Sequence, residues 1–107
     1  MRKVEYTRWL DQQKYEANTI KTQIHRLERV EEYHGDLDEH YAKNHTAGLM
    51  DTLSYTIDHQ QRDSPNPSQI PFDGNIYNNI ASYRDAVKRY CRFRDAEEKL
   101  SRHAAAR

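Results

Sequence analysis

Apolar residues along this chain recur at three- and four-residue intervals separated by polar breaks, which predicts an all-α protein of four to five helices. In the opening stretch Val4, Tyr6, Trp9 and Leu10 are assigned to one side of a short helix ending near Tyr15. Asn18-Thr19 then reads as an N-cap signal before Ile20, Ile24, Leu27 and Val30, with Tyr33 following. Gly35, directly after His34, is a stop signal, so the second helix is expected over 19–34. Asp36 opens a short helical turn whose inward pair is Leu37 and Tyr41. Thr46 is expected to cap a third helix with Leu49, Met50, Leu53 and Ile57 on its inner face. Residues 64–74 hold all three prolines and one of the three glycines, which predicts a stiff loop pinned to the core by Ile70 and Phe72. Asn75 begins the longest pattern, Ile76, Ile80, Tyr83, Val87 and Tyr90, widened by Ala86 and Phe93. Beyond Phe93 the stripe thins to Ala96 and Leu100 while helix propensity stays high. The expected organisation is one helical domain over 1–94 and a helical tail over 95–107, a connector to a further, covalently linked C-terminal domain.

Composition tightens this picture. With 107 residues, 36% hydrophobic and 32% charged, the chain can bury one modest core and no more. Eight Tyr against two Phe imply that tyrosines supply much of the apolar area, at the half-buried edge of a thin core where each hydroxyl finds a partner. No apolar run approaches the ~18 residues of a membrane span and no signal-peptide core is visible, so a cytoplasmic location without membrane contact is expected. Cys91 is the only cysteine, which leaves no internal disulfide; within its helical pattern it reads as a small, semi-buried hydrophobe.

Catalytic chemistry finds little footing. The three glycines stand isolated at 35, 48 and 74, so no glycine-rich phosphate loop exists. Ser, His and Asp lie without the strand-turn-helix setting of a nucleophile elbow, and Tyr83 and Tyr90 fall on a packing face. The cluster His34, Asp36, Asp38, Glu39 and His40, with His45 nearby, contains metal-ligand types, but its spacing fits no closed site. Helix capping and dipole stabilisation account for its acids. No catalytic residue, metal or cofactor is assigned.

Charge changes the picture more. Net charge is zero, yet residues 1–27 carry six basic and three acidic side chains, 28–63 three and nine, and 84–107 eight and four. A polyanion would therefore meet the first and last thirds. Arg84, Lys88 and Arg92 follow at i,i+4 as a basic ridge, widened by Arg89. Lys21, Gln23, His25 and Arg26, with Thr22 and Arg29, form the polar face of the second helix. Basic and amide groups on two helices suit a phosphate backbone.

The order of elements resembles the SAM-like core-binding domain of tyrosine recombinases and phage integrases. Asn18-Thr19-Ile20 and the stretch from Ile80-Ala81-Ser82-Tyr83-Arg84 through Phe93 carry the likeness, which spans about residues 5–94. It implies a SAM-like bundle that clamps duplex DNA while a separate domain performs catalysis. On that expectation Lys21, Arg26, Arg84, Lys88, Arg89 and Arg92 contact phosphates, and Gln23 and His25 reach bases or sugars. The acidic segment GDLDEHY and the long loop PNPSQIPFDGN depart from the pattern. Those two segments are similar to helical N-terminal segments of bacterial restriction and HNH-type defence proteins. That likeness implies target recognition or protein docking, with Asp36, Asp38 and Glu39 meeting a basic partner.

Overall fold

The computed structural model describes residues 1–105 and contains six helices, with no strand among the described residues. They are α1 (Lys3–Gln12), α2 (Ala17–His34), α3 (Leu37–Asn44), α4 (Ala47–Thr52), α5 (Ile57–Gln61) and α6 (Ile76–Ala105). Among the described residues no helix is long and apolar enough to cross a membrane. The protein is a small all-α bundle in which α2 and α6 form the central pair, α1 packs on both, and α4 and α5 pack on α6.

Two helices match the apolar pattern closely. On α2, Ile24, Leu27 and Val30 are buried, and Gly35 ends the helix with φ 90 while its amide donates to the Glu31 carbonyl at 3.0 Å. A left-handed residue at that place is what glycine supplies without a Cβ penalty. The start differs from expectation, because Glu16 and not Asn18 occupies the N-cap and makes no side-chain cap bond. On α1, Tyr6 and Leu10 are fully buried, but Val4 is 66% exposed. At ~100° per residue Val4 lies about 160° round the helix from Tyr6, so the two cannot share a face.

The middle of the chain departs further. Asp36 caps α3 as expected, accepting the Asp38 amide at 3.0 Å, and Leu37 and Tyr41 point inward. Then His45 and Thr46 both adopt left-handed backbone, φ 52 and 66, and Thr46 makes no side-chain cap. The single helix expected from Thr46 through Ile57 is two short ones. Leu53 stays buried while the backbone leaves α4, and Thr56 starts α5 with a reciprocal cap. Its Oγ1 accepts the His59 amide at 3.2 Å, and His59 Nδ1 accepts the Thr56 amide at 2.9 Å. That cap turns Ile57 outward, to 51% exposure, instead of onto the inner face.

The proline-rich loop is held by its own polar side chains. Asn66 Oδ1 accepts from the Ser68 amide and hydroxyl, and Asn66 Nδ2 donates to the Ile70 carbonyl at 2.7 Å. Ile70 is fully buried and the Phe72 ring packs against Tyr83 at 5.3 Å, as expected. Asn75 caps α6 by accepting the Asn78 amide. Residues 95–105 of the expected tail continue α6 without a break; 106 and 107 lie outside the described residues.

Tyrosines occupy the centre of the core and not only its edge. Tyr6 and Tyr90 are both 0% exposed and meet edge to face at 4.9 Å, with Trp9 and Phe93 closing an aromatic cluster between α1 and α6. The Tyr90 hydroxyl accepts the Arg2 amide at 2.8 Å and donates to Asp38 at 2.7 Å. The Tyr6 hydroxyl is buried with no partner among the described residues.

Asp38 is the hub of a polar network between α3, α6 and the first residues. Arg94, 5% exposed, donates to it at 2.6 Å and to Glu98 at 3.0 Å, and its guanidinium lies 4.5 Å from the Tyr41 ring centroid. Arg94 Nε lies 3.3 Å from Glu97 Oε1 in poor alignment and makes no hydrogen bond. The Met1 ammonium sits among Glu31, Asp36 and Asp38 at 2.7, 3.0 and 3.2 Å. Burial works against that ammonium, but the hydrogen bonds it donates to the three carboxylates prevail and hold its pKa up at about 10. Burial likewise opposes the Asp38 charge; Tyr90, the ammonium and Arg94 outweigh it and hold the carboxyl below its ordinary 3.8. The ammonium and the Asp38 amide lower Asp36 as well. The unequal charge along the chain is thus partly spent internally, since Lys3–Glu28, Arg2–Glu97 and Arg94–Asp38 also join its basic ends to acids.

Two outcomes follow for stability. Leu27→Ala, at a fully buried site, should cost about 2–5 kcal/mol in urea unfolding, whereas Tyr6→Phe should stabilise by about 1 kcal/mol by deleting an unpaired buried hydroxyl. Because Asp36 and Asp38 titrate lower folded than unfolded, their contribution is complete above pH 3.8 and is lost as pH falls below it. Acid titration of the melting temperature should show that loss, and Asp38→Asn should shrink it; an unchanged acid limb in the variant would contradict the network's role.

Candidate nucleic-acid interface

The eight residues singled out by charge and spacing divide into two groups. Arg84, Lys88 and Arg92 stand on the outer face of α6, all exposed, one helical turn apart. Among the described residues no carboxylate pairs with any of them. Their acidic neighbours are occupied elsewhere: Asp85 pairs with Arg89 at 3.0 Å, and Asp95 accepts the Tyr41 hydroxyl at 2.6 Å with His45 at 3.5 Å. Mixed charge along the helix therefore resolves into acids with partners and cations without them.

Arg89 belongs to the second group. It turns toward α2 and donates to Gln23 Oε1 at 2.7 Å and to the Tyr15 hydroxyl at 3.2 Å, with its guanidinium 5.3 Å from the Tyr15 ring centroid. Gln23 is 6% exposed. These two residues join α6 to α2, so Gln23 and Arg89, expected to contact a base or sugar and a phosphate, are bonded to each other. Arg29 is likewise committed, to the Tyr83 hydroxyl and the Pro71 carbonyl, where it anchors the loop.

Lys21 and His25 are exposed on α2, and Arg26, half-buried, edges a shallow depression formed with Asn18, Thr19, Thr22 and Gln23. That depression includes no α6 residue. Arg84 and Lys88 instead rim a groove of about 490 Å³ between α6 and the α4–α5 connection. The structure thus does not gather the α2 and α6 cations into one cleft.

Sequence reasoning stopped the ridge too early. With 3.6 residues per turn, positions 84, 88, 92, 95, 99 and 102 follow one side of α6, which adds the exposed Lys99 and Arg102 to the stripe. The same spacing was visible in the sequence, but the thinning of the apolar stripe drew the domain limit at 94. From Arg84 to Arg102 the stripe runs about 27 Å at ~1.5 Å per residue. Asp95 is its one acidic member and is held by Tyr41.

The histidine and acidic cluster is built as structure. His34 Nε2 accepts the Gln69 amide at 3.3 Å, and His40 Nε2 meets the His34 carbonyl at 2.6 Å. Burial first, and His40 second, push the His34 pKa below 6.5, which keeps the acceptor nitrogen neutral. Among the described residues no three His, Cys, Asp or Glu side chains converge as metal ligands. Cys91 is half-buried as expected, its thiol directed at the His45 carbonyl at 3.5 Å and its pKa raised by burial.

The division between the two groups has a direct check. Arg89→Ala should lower stability by about 1.5–3 kcal/mol, because it leaves Gln23 and the Tyr15 hydroxyl without their donor. Arg84→Ala, Lys88→Ala and Arg92→Ala should leave the melting temperature unchanged; a comparable loss in any of them would make that residue structural.

No family model, curated protein or solved structure matches the chain, so its function is read from the chemistry of these surfaces.

Proposed function

We propose that this chain is a non-catalytic DNA-contacting module that lays the outer face of α6 along the phosphates of a duplex. The observation that carries the reading is the state of Arg84, Lys88 and Arg92, which are exposed and, among the described residues, without internal partners, while Asp85 is paired with Arg89 and Asp95 accepts the Tyr41 hydroxyl. Three cations in this state on one rigid helix supply counterion-release affinity without first breaking ion pairs. Lys99 and Arg102 lengthen the same stripe. A stripe of about 27 Å is shorter than one duplex turn of ~34 Å, so it can follow the phosphates on one side of the duplex. Lys21 and Arg26 are a second, separate pair of cations on α2, with His25 beside them. The resemblance to recombinase core-binding domains supports the same reading and implies a partner domain for chemistry.

Docking of a basic protein on the acidic segment is the alternative. Asp36 and Asp38 are engaged by the Met1 ammonium, the α3 cap and Arg94, which leaves Glu39 as the one carboxylate of the three without an internal ion pair among the described residues. The geometry therefore favours the basic stripe.

Fluorescence anisotropy with a labelled duplex of about 25 bp, at ~50 and ~200 mM salt, tests the reading. Affinity should fall steeply with salt, and Arg84→Ala/Lys88→Ala/Arg92→Ala should reduce the log–log slope by about three. Absence of binding at low salt would reject the proposal, as would a slope that the triple variant leaves intact.

A further inference from the structure

The groove beside the stripe has a composition that phosphate tracking alone does not use. Its floor is apolar, made by Leu53 and Ile80, and Ile57 stands 51% exposed along its wall. Two tyrosines line it. Tyr55 is fixed, its hydroxyl donating to the Ser64 carbonyl at 2.6 Å. Tyr77 is half-buried, stacks on no other ring and makes no side-chain hydrogen bond among the described residues. On the α6 rim stand Arg84 and Lys88, two of the unpaired cations of the stripe, with Asp85, the one carboxylate of the lining, paired to Arg89 at 3.0 Å. A volume of about 490 Å³ lies within the ~300–1,000 Å³ range of pockets that enclose small organic groups.

An unpartnered aromatic ring over an apolar floor, with two free cations at the rim, complements a flat aromatic group joined to an anion. Because those cations belong to the stripe assigned to nucleic acid, the complementary group is a nucleobase with its phosphate. We infer that this groove accepts one unstacked base, its face against Tyr77 and Ile57 and its phosphate between Arg84 and Lys88. The inference rests on the nucleic-acid reading of α6 and adds a ligand class to it, a strand with an unpaired base in preference to an intact duplex. Base–aromatic stacking tolerates any base, because every base has a π-face, so the groove sorts paired from unpaired nucleotides and reads no sequence.

The test compares three labelled probes on the full chain: an intact duplex, the same duplex with an unpaired thymine, and the single strand. The unpaired probes should bind roughly tenfold tighter than the intact duplex, about the worth of one base–aromatic stack. Tyr77→Ala should abolish that preference and Tyr77→Phe should keep it. Ile57→Glu, at an exposed position where folding is undisturbed, should abolish it independently by placing a carboxylate on the groove wall. Equal binding of all three probes, with a normal salt slope, would overturn the groove inference and leave the α6 stripe standing. Absence of binding by every probe at low salt would overturn both. Displacement of the unpaired probe by an aromatic-containing acidic peptide at lower concentration than by free single strand would give the groove to a protein ligand instead.

Discussion

The contact on which the rest of the bundle depends is the pairing of Asp38 with Arg94 under the Tyr90 hydroxyl. These residues lie 52 and 56 positions apart in sequence, on α3 and α6, and each donor reaches the carboxylate within 2.7 Å. Arg94 is buried and Asp38 half-buried, and such an ion pair returns little net stability, because desolvation offsets much of its Coulombic gain. Breaking one is costly, however, so the pair acts mainly on arrangement: any packing of α3 on α6 that separates the two strands a charge. Tyr90 extends the same logic to the first residues by accepting the Arg2 amide, and the carboxylates around the Met1 ammonium complete the enclosure.

With α6 held at that end, a second polar joint fixes its side toward α2. Arg89 reaches Gln23 and Tyr15 across the interface, and the apolar side chains of Leu27, Val30, Val87 and Tyr90 fill the space that both joints define. The rotation of α6 is thereby settled, and the rotation decides which cations are left outward. Arg89 and Arg94 are consumed by the fold, whereas Arg84, Lys88 and Arg92 remain free. The proposed interface is in this sense the remainder of the packing, five or so residues of one helix that the core did not require.

Much of the architecture was legible because α2 and α6 repeat their apolar residues over many turns, so periodicity outweighs any single position. The Gly35 stop, the Asp36 cap and the pinning of the loop by Ile70 and Phe72 were readable for a different reason, each resting on local chemistry. The breaks between α3, α4 and α5 were not. His45 and Thr46 adopt left-handed backbone without glycine, and Thr46 is buried there, which no residue type at these positions announces. The Thr56–His59 cap lay hidden inside a continuous apolar spacing that read as one helix. For the candidate site, the exposed ridge was visible from i,i+4 spacing, but the burial of Gln23 and Arg89 was not, since that pairing joins residues 66 positions apart. A one-dimensional pattern marks both as polar and cannot tell solvated from internally bonded.

Trp9 is the chain's only tryptophan, and its place gives the protein a natural optical probe. Its ring lies 6.0 Å from Tyr6 and 5.8 Å from Phe93, half-buried where α1 meets α6. Emission from that indole therefore reports the docking of the first helix, a short element with few residues to hold it. Separation of α1 would move the ring into water and redden its spectrum. Ligands on the outer face of α6 lie on the far side of that helix from the indole. Intrinsic fluorescence can accordingly follow the integrity of the bundle while a labelled ligand is being titrated onto the opposite surface.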